Sequence, residues 1–265
     1  MPLHRNLPFA TYQCLPGLNW SRLKLLARSP LHFRSPPPVD SDPLFSALHT
    51  ALLEPQIFAE QYQLAEGRRT AAAKAAAGDR VLLTARDFAT IQGVVDALHA
   101  HPVAGALLAE PGWSELTMTW EDHGRALKGR IDRLTSSGTL IDLKAVPSVE
   151  PRKIAVEVAR RLYHGQLAHY VEGLRACGQH VERVVVIAYE AAPPYDVGVY
   201  ALELDAALYV GEVLRAGLLD VLAQCEAEDR WPGAAPELRP LVLPRWAPGI
   251  EQTGVDSLAD EDDHL

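Results

Sequence analysis

The sequence predicts an α/β protein in which a mixed central sheet is flanked by helices, with a largely helical N-terminal half. Two observations support this prediction. Apolar residues recur at helical spacing through much of residues 18–110, and three β-prone segments follow one another between residues 115 and 146. A helix, two strands and a final helix are then expected up to residue 228. We therefore expect a helical part at about 18–110 and a core at about 113–230, within a single domain of residues 1–247.

The predicted N-terminal helices are amphipathic segments. They span Leu18–Arg28, Pro43–Leu53, Ala65–Arg80, Thr84–Ala100 and Val103–Leu108. A proline closely follows the first, second and fourth of them, which is a common way to end a helix. His49 lies among apolar residues of the second helix, where a lone histidine most often has a structural role. Arg68 and Arg69 lie on the alanine-rich third helix. This helix is either an ordinary surface helix, which we favour, or one whose two arginines face DNA.

The predicted core begins with three strands that form an antiparallel meander: Glu115–Trp120, Gly129–Thr135 and Thr139–Val146. The last two flank Ser136-Ser137-Gly138, a three-residue loop whose final glycine suits the positive φ common in such hairpins. The remaining predicted elements are a helix over Pro151–Gly178 with a weak point near Gly165, strands Val181–Tyr189 and Tyr195–Leu204, and a helix over Ala206–Glu228.

The hairpin loop implies a register in which Leu134 faces Leu140 and Asp132 faces Asp142. Lys144 lies two residues after Asp142, so its side chain points to the same face. Two facing carboxylates repel each other unless a cation lies between them, and Mg²⁺ or Mn²⁺ suits such oxygen ligands. The chemistry that this arrangement indicates is metal-assisted attack of water on a phosphodiester, with Lys144 beside the water.

An ordinary charged surface is the alternative interpretation of the hairpin. The pattern Asp-x9-Asp-x-Lys often arises by chance, and its charges then simply pair with one another. The same register, however, puts Arg130 opposite Lys144, and this like-charge pair is unfavourable unless anions intervene. The diagonal aspartates would supply those anions, so the pattern alone leaves both interpretations open.

The composition is that of an ordinary globular protein, with 48% hydrophobic and 22% charged residues. No apolar segment reaches the ~18 residues of a membrane span, and the N-terminus lacks the apolar core of a signal peptide. The three cysteines are too few and too scattered for a disulfide framework, a structural zinc site or an iron–sulfur cluster. A reducing cytoplasmic location without membrane attachment is therefore expected.

The net charge of −9 does not indicate nucleic-acid binding, but the charge is unevenly distributed. Residues 121–175 hold ten Lys/Arg and seven Asp/Glu, whereas residues 237–265 hold two Lys/Arg and seven Asp/Glu. A basic centre and an acidic end are compatible with a protein that acts on DNA. Residues 248–265 are expected to form an acidic, disordered tail.

Several sequence motifs occur in an order that resembles a known nuclease family. They are SRLKLLARSPLHFR near the start, ALHTALLEP around His49, the stretch from Arg68 to Ala77, ELTMTW before the hairpin, GRIDRL and LIDLK within it, YHGQLAHY after it and LPRWA near the end. The hairpin resembles the core motif of the PD-(D/E)XK nuclease superfamily, and the ordered set resembles its RecE-like exonuclease VIII family. The resemblance extends over about residues 18–247 and implies a restriction-endonuclease-like core.

The resemblance also implies roles for individual residues. It implies that Asp132, Asp142 and His49 bind the metal, and that Lys144 is the catalytic lysine. Further candidates are Glu115 and the backbone carbonyl of Leu143 as metal ligands, Gln166 and Tyr170 as a QxxxY motif that orients the active site, and Arg130, Tyr170, Arg68 and Arg69 as DNA contacts.

Two positions depart from the family pattern. Phe45 stands four residues before His49, where the family often has glycine, and Leu162-Tyr163 stands where the family usually has Gly-Tyr. These changes concern helix packing rather than the metal chemistry, because the Asp–Asp–Lys set is complete.

By this resemblance the chain is expected to be a Mg²⁺-dependent deoxyribonuclease, of host or prophage origin, in which Mn²⁺ substitutes for Mg²⁺. The implied reaction is 5′→3′ resection of duplex DNA ends in recombination, with a strand-annealing protein as partner and a ring-shaped oligomer around the DNA. An endonuclease or single-strand exonuclease with the same core is one alternative, and a non-catalytic DNA-binding or adaptor protein is another. The complete Asp–Asp–Lys set favours an enzyme, whereas the net charge of −9 favours the adaptor.

Overall fold

The computed structural model describes residues 2–38, 42–65 and 77–243. The α-helices in these residues are α1 Phe9–Cys14, α2 Trp20–Leu23, α3 Pro30–Arg34, α4 Pro43–Leu53, α5 Pro55–Gln61, α6 Ala85–Ala100, α7 Pro102–Ala109, α8 Pro151–Arg160, α9 Tyr163–Ala176 and α10 Tyr209–Glu228. None of these described helices is both long and apolar enough to cross a membrane. Arg68, Arg69 and the predicted acidic tail lie outside the described residues.

The strands form one large sheet and one small one. They are β1 Leu3–His4, β2 Tyr62–Leu64, β3 Val81–Leu83, β4 Gly112–Asp122, β5 Arg125–Thr135, β6 Thr139–Ala145, β7 Arg183–Tyr189 and β8 Val197–Leu202. The large sheet has the order β1-β4-β5-β6-β7-β8, and β2 pairs with β3 separately. Strands β6 and β7 are parallel, and α8 and α9 make the long connection that a parallel pair requires. The predicted mixed sheet flanked by helices, with β4, β5 and β6 as its antiparallel meander, is confirmed.

Apolar side chains cover both faces of the sheet, as the alternation along β6 and β7 shows. Leu140 and Val184 pack with α9 on one face, here called the α9 face. Ile141 and Val185 pack with α4 and α6 on the other, the α4 face. Because both strands are buried on both sides, their sequences are almost continuously apolar.

Most predicted helices are confirmed, with differences at their ends. The bounds of α4 are as predicted, and those of α6 and α7 differ by one residue at one or both ends. The predicted first helix is instead α2 followed by a 3₁₀ turn, Lys24–Ala27. The predicted long helix is divided into α8 and α9, because Leu162 has a left-handed φ of 57° ahead of the expected weak point. A π-helical turn, Leu204–Leu208, precedes α10, so α10 begins later than predicted.

The N-terminal segment, for which no structure was predicted up to residue 17, packs against the meander. Strand β1 pairs with β4 at the edge of the sheet. The Nζ of Lys128 on β5 donates to the carbonyls of Tyr12, Gln13 and Leu15, over distances of 3.2, 3.1 and 2.6 Å. Carbonyls at the C-terminus of a helix lack partners within the helix. Lys128 therefore satisfies the end of α1 and holds this helix against the sheet.

Candidate active site

The predicted register of the hairpin is confirmed where β5 and β6 pair, because Leu134 lies opposite Leu140. The regular pairing extends one residue further from the loop and then stops. Beyond that point Asp132 Oδ2 accepts a hydrogen bond from the backbone N–H of Leu143 at 2.7 Å. The carboxylate of Asp132 therefore joins the two strands where their backbone pairing ends.

Three candidate metal-binding side chains converge beside this hydrogen bond. His49 comes from α4, Glu115 from β4 and Asp132 from β5, and one ligand atom of each lies within 4.8 Å of the other two. His49 Nδ1 and Asp132 Oδ1 are 3.9 Å apart. The pairing of β4 with β5 omits Glu115 and Asp132, and Glu115 has a left-handed φ of 51°. This backbone conformation is uncommon for glutamate, and it occurs at a residue of the cluster. Strained backbone conformations of this kind are frequent at functional sites.

Asp142 and Lys144 form an ion pair next to the cluster, with Lys144 Nζ 2.7 Å from Asp142 Oδ2. Asp142 is buried, and burial raises its pKa to about 6, with Lys144 acting against this shift and Asp132 adding to it. Burial opposes the charge of Lys144, but Asp142 and Asp132 outweigh it and raise the pKa of this lysine. Lys144 is therefore an ammonium at neutral pH. The ring of Tyr163 lies against it, with the centroid 4.5 Å from Nζ.

Arg130 lies beyond the point where the regular pairing of β5 with β6 stops, so its predicted position opposite Lys144 stays a prediction. Its partner across the sheet is Thr117 on β4, and its guanidinium forms ion pairs with Glu115 and, at 3.7 Å, with Glu54. The side chain is 7% exposed. This buried, ion-paired position is contrary to the predicted contact with DNA. Arg130 instead neutralises Glu115 of the cluster and Glu54 beside it, where an unpaired buried charge would be strongly destabilising.

Glu54 and Tyr163 belong to the surroundings of the site but were not identified from the sequence. Glu54 follows the last residue of α4 and forms an ion pair with Arg130, which in turn pairs with Glu115 of the cluster. No spacing rule distinguishes it from an ordinary acidic residue at a helix end. Tyr163 matches the tyrosine of the Gly-Tyr pair that the resemblance implies, and its place at the first position of α9 brings its ring to Lys144.

Gln166 and Tyr170 lie on one face of α9, as their spacing of four residues predicts. Gln166 Nε2 donates to the hydroxyl of Tyr170 at 2.9 Å. Burial raises the pKa of Tyr170 well above its usual value, and the charges of Asp142 and Asp132 raise it further. Tyr170 therefore stays a neutral hydroxyl near both aspartates, on the α9 face of the sheet.

The donor set of the cluster fits a divalent cation. Ligands of Mg²⁺ lie ~2.1 Å from the ion and hence no more than ~4.2 Å from one another. Atoms that lie within 4.8 Å of one another reach this spacing by sub-ångström movements. Carboxylates suit Mg²⁺ and Mn²⁺ alike, whereas the imidazole of His49 favours Mn²⁺ over Mg²⁺. The side chains of His49 and Asp132 are 31% and 16% exposed, so the cluster is open to solvent on the His49 side. A metal-ligand role for the Leu143 carbonyl stays a prediction.

A mixed sheet whose central hairpin carries Asp132, Asp142 and Lys144 defines a protein of the PD-(D/E)XK class. A family model described as "PDDEXK-like domain of unknown function (DUF3799)" matches residues 43–238. This match includes well over half of the chain, and the chain therefore belongs to that family. The predicted superfamily and fold class are thus confirmed. Since PD-(D/E)XK nucleases use divalent metals, the family supports a metal-using nuclease.

Comparison with solved structures supports the same fold. The crystal structure of a protein named "Putative exonuclease" from Eubacterium rectale aligns with a TM-score of 0.60 and 13% sequence identity, over 95% of each chain. The crystal structure of SSO0001 aligns with 13% identity over 71% of this chain and 81% of that one, but its TM-score of 0.27 is too low to support an inference. No curated protein sequence matches this chain.

Proposed function

We propose that this chain is a metal-dependent deoxyribonuclease that degrades duplex DNA from its ends in the 5′→3′ direction. One observation carries the proposal: the ligand atoms of His49, Glu115 and Asp132 converge within 4.8 Å, beside the buried ion pair of Asp142 and Lys144. Family membership supports nuclease activity. The direction, the substrate and a role in recombination rest on the resemblance of the motifs to RecE-like exonucleases.

In this proposal His49, Asp132 and Asp142 hold a Mg²⁺ or Mn²⁺ ion, together with Glu115 and the carbonyl of Leu143. When bound, the ion lowers the pKa of a water molecule and polarises the scissile phosphate. Arg130 is a positioning residue, because its ion pair fixes the side chain of Glu115.

Lys144 acts as a hydrogen-bond donor in the proposed reaction. Its ammonium orients the attacking water and stabilises the charge that develops on the phosphate oxygens. The water oxygen forms a bond to phosphorus and releases its proton to solvent, while the bond from phosphorus to the 3′ oxygen breaks. The 3′ oxygen takes up a proton, which leaves a 3′-hydroxyl on one product and a 5′-phosphate on the other. Gln166 and Tyr170 border the site from α9 and offer neutral donors to the same strand.

Digestion of linear duplex DNA with a label on either the 5′ or the 3′ ends tests the proposal. Wild-type protein is expected to release the 5′ label first, with Mg²⁺ or Mn²⁺ but not with EDTA. Lys144→Ala and Asp132→Asn are each expected to lower the rate at least about 100-fold, since each removes a group that acts on the developing charge or its metal. Asp96→Asn is a matched control, because Asp96 is an exposed acid of α6 outside the cluster.

Other substrates distinguish the rival functions. Cleavage of closed circular DNA would indicate an endonuclease, and release of label from single strands alone would indicate a single-strand exonuclease. Binding of DNA without turnover in either metal, unchanged by Asp142→Ala, would overturn the proposal in favour of a non-catalytic DNA-binding protein.

A further inference from the structure

The beginning of the chain has a charge opposite to that of the rest. Residues 1–39 contain five Lys/Arg and no Asp/Glu, whereas the remaining residues contain 20 Lys/Arg and 34 Asp/Glu. The family model begins only at residue 43. An excess of positive charge therefore lies in a segment that precedes the family match, on a protein that otherwise repels nucleic acid.

Apolar contacts fix this basic segment to the helices of the α9 face. Trp20, Leu23 and Leu26 are buried against Leu218 and Leu222 of α10. Asn19 caps the start of α2 by accepting a hydrogen bond from the backbone of the third helical residue. The segment is therefore a folded part of the molecule, and its cations have defined positions.

Lys24 is a half-buried cation at the start of the 3₁₀ turn that follows α2. The pKa of Lys24 is lowered, first by burial and then by the neighbouring charges of Lys144 and Arg161. Lys144 has Asp142 as its partner and Arg161 has Glu157. Among the residues that the structure describes, no carboxylate pairs with Lys24. A bound anion between Lys24 and Lys144 would relieve this repulsion.

Two further cations without carboxylate partners follow on α2 and α3. The guanidinium of Arg22 lies 4.8 Å from the ring centroid of Phe33, and that of Arg34 lies 5.4 Å from the ring of Trp231. The two rings are stacked on each other, with centroids 5.9 Å apart and an interplanar angle of 7°. In the described part of the chain neither arginine forms an ion pair. A guanidinium held flat on an aromatic ring keeps its N–H groups available in the plane, where phosphate oxygens accept them.

A surface groove adjoins this pair of rings. It has a volume of about 570 Å³ and is lined by Gly17, Leu18, Arg22, Phe33 and the β4–β5 turn, residues 123–126. The turn adds Arg125, although Glu226 already pairs with this side chain. The groove thus combines an aromatic ring, an unpaired arginine and enough room for part of a nucleic-acid strand.

We propose that Arg22, Lys24 and Arg34 form a basic strip that binds successive phosphates of the DNA strand leading away from Lys144. This inference rests on the proposed function for the identity of the ligand, since DNA is the polyanion that a nuclease of this class would hold. Three cations spread over α2, the 3₁₀ turn and α3 suit a polymer of phosphates better than a single anion. The strip supplies the positive charge that the rest of the chain lacks.

Binding of a labelled DNA duplex, measured in EDTA so that no hydrolysis occurs, tests the strip at several salt concentrations. Each lost phosphate contact lowers the slope of log Kobs against log salt by about 0.7–0.9. The triple variant Arg22→Gln, Lys24→Gln, Arg34→Gln is therefore expected to lower the slope by about 2 to 3. Arg86→Gln is the single-charge control, because Arg86 is an exposed arginine of α6, which packs on the α4 face.

Two further measurements separate binding from folding and from catalysis. The double variant Arg22→Lys, Arg34→Lys keeps both charges and is therefore expected to keep the slope of the wild-type protein. If substitution at these positions instead unfolded the α2–α3 region, this variant would lose the slope as well. With active protein, Arg34→Gln is expected to raise KM more than it lowers kcat, because the proposed contact is to a phosphate other than the one that reacts.

The outcomes distinguish the strip from the proposed function. A slope in the triple variant that stays within about 0.5 of the wild-type value would overturn the strip even if the protein cleaves DNA. The same conclusion would follow if Arg86→Gln lowered the slope by as much per removed charge as the triple variant does. A reduced slope in a protein that never cleaves DNA would support the strip and overturn the nuclease.

Discussion

His169 is a histidine of α9 that the chain keeps away from water, although its neighbours Gln166 and Tyr170 belong to the candidate active site. It is fully buried between the rings of Trp20 and Trp120. Its Nε2 lies 3.1 Å from the carbonyl of Lys128, and its Nδ1 has no hydrogen-bond partner among the described residues. Burial lowers the pKa of His169 to about 4, more than the bond to Lys128 raises it.

This buried histidine makes the stability of the protein depend on pH. The pKa of about 4 in the folded chain lies below the ordinary value of 6.5, so the unfolded chain binds the proton more readily. The contribution of neutral His169 to the free energy of unfolding is complete above about pH 6.5, and it is lost as the pH falls from about 6.5 to about 4. Urea unfolding in EDTA at about pH 7.5 and about pH 5.5 is expected to show a loss of about 1 kcal/mol from this group.

The comparison with His169→Gln isolates this contribution. Glutamine donates to the carbonyl of Lys128 but does not titrate, so the variant is expected to lose about 1 kcal/mol less between the two pH values. Asp142 acts in the opposite direction, because its pKa is raised to about 6 and the folded chain gains stability as the pH falls through that value. Since Asp142 is present in both proteins, its effect cancels. Equal pH dependence of wild type and variant would contradict the prediction.

At the scale of residues, the sequence predicted the acids and the lysine but not their partners. Asp132, Asp142 and Lys144 lie on one short hairpin, so alternation and loop length were enough to predict that these side chains lie near one another. The partners of Arg130 come from β4 and from Glu54 after the end of α4, far away in sequence. Charge pairing across elements follows from tertiary packing, which a hairpin pattern does not contain.

Leu162 determines where one predicted helix becomes two. Its φ of 57° interrupts the helical backbone directly before α9 begins at Tyr163. Its side chain is partly buried and packs beside Trp20 and Leu23. A left-handed conformation costs a residue with a Cβ roughly 1–2 kcal/mol, whereas glycine adopts it freely. The resemblance to RecE-like exonucleases predicts glycine at this position, so this chain combines a strained turn with an additional apolar contact.

Substitution of Leu162 separates the strain from the packing. Leu162→Ala loses most of the packing and keeps the strain, whereas Leu162→Gly loses the packing and relieves the strain. Glycine also gains freedom in the unfolded chain, which offsets about 0.4–1 kcal/mol. The glycine variant is therefore expected to be more stable than the alanine variant by roughly 0.5–1 kcal/mol, measured by urea unfolding.

An ordinary helical position provides the control for this comparison. Ala155 is exposed on α8, where Ala155→Gly is expected to lower the stability by about 1 kcal/mol. The sign of the alanine-to-glycine change is thus opposite at the two positions. The same sign at both would show that the left-handed conformation of Leu162 contributes no strain.

At the scale of elements, the sequence predicted those with a long pattern or a strong turn signal. The hairpin register follows from Gly138, whose φ of 85° closes the loop as expected. Strands β1, β2 and β3 contain only two or three residues each, too few to show a period, and they pair with distant segments. Helix α1 is likewise short and is held by Lys128 from the sheet.

At the scale of the whole molecule, the candidate metal site joins layers that the hydrophobic core keeps separate. His49 comes from a helix of the α4 face, whereas Glu115 and Asp132 come from the sheet itself. From the α9 face, α9 brings Tyr170 near Asp132 and Asp142, whose charges raise its pKa. A bound cation would therefore cross-link α4 to the sheet and reduce the repulsion among the carboxylates.

Metal binding is consequently expected to stabilise the folded chain as a whole. An ion that binds only the folded state at about 100 times its Kd adds about 2.7 kcal/mol to the free energy of unfolding. Addition of Mn²⁺ or Mg²⁺ to protein freed of metal with EDTA is expected to raise Tm, and a calorimetric scan measures the shift. Asp132→Asn is expected to abolish most of it, while Asp96→Asn keeps it. Because the shift needs no DNA and no turnover, it tests the location of the site independently of activity. An equal shift in Asp132→Asn and wild type would mean that the metal binds elsewhere on the chain.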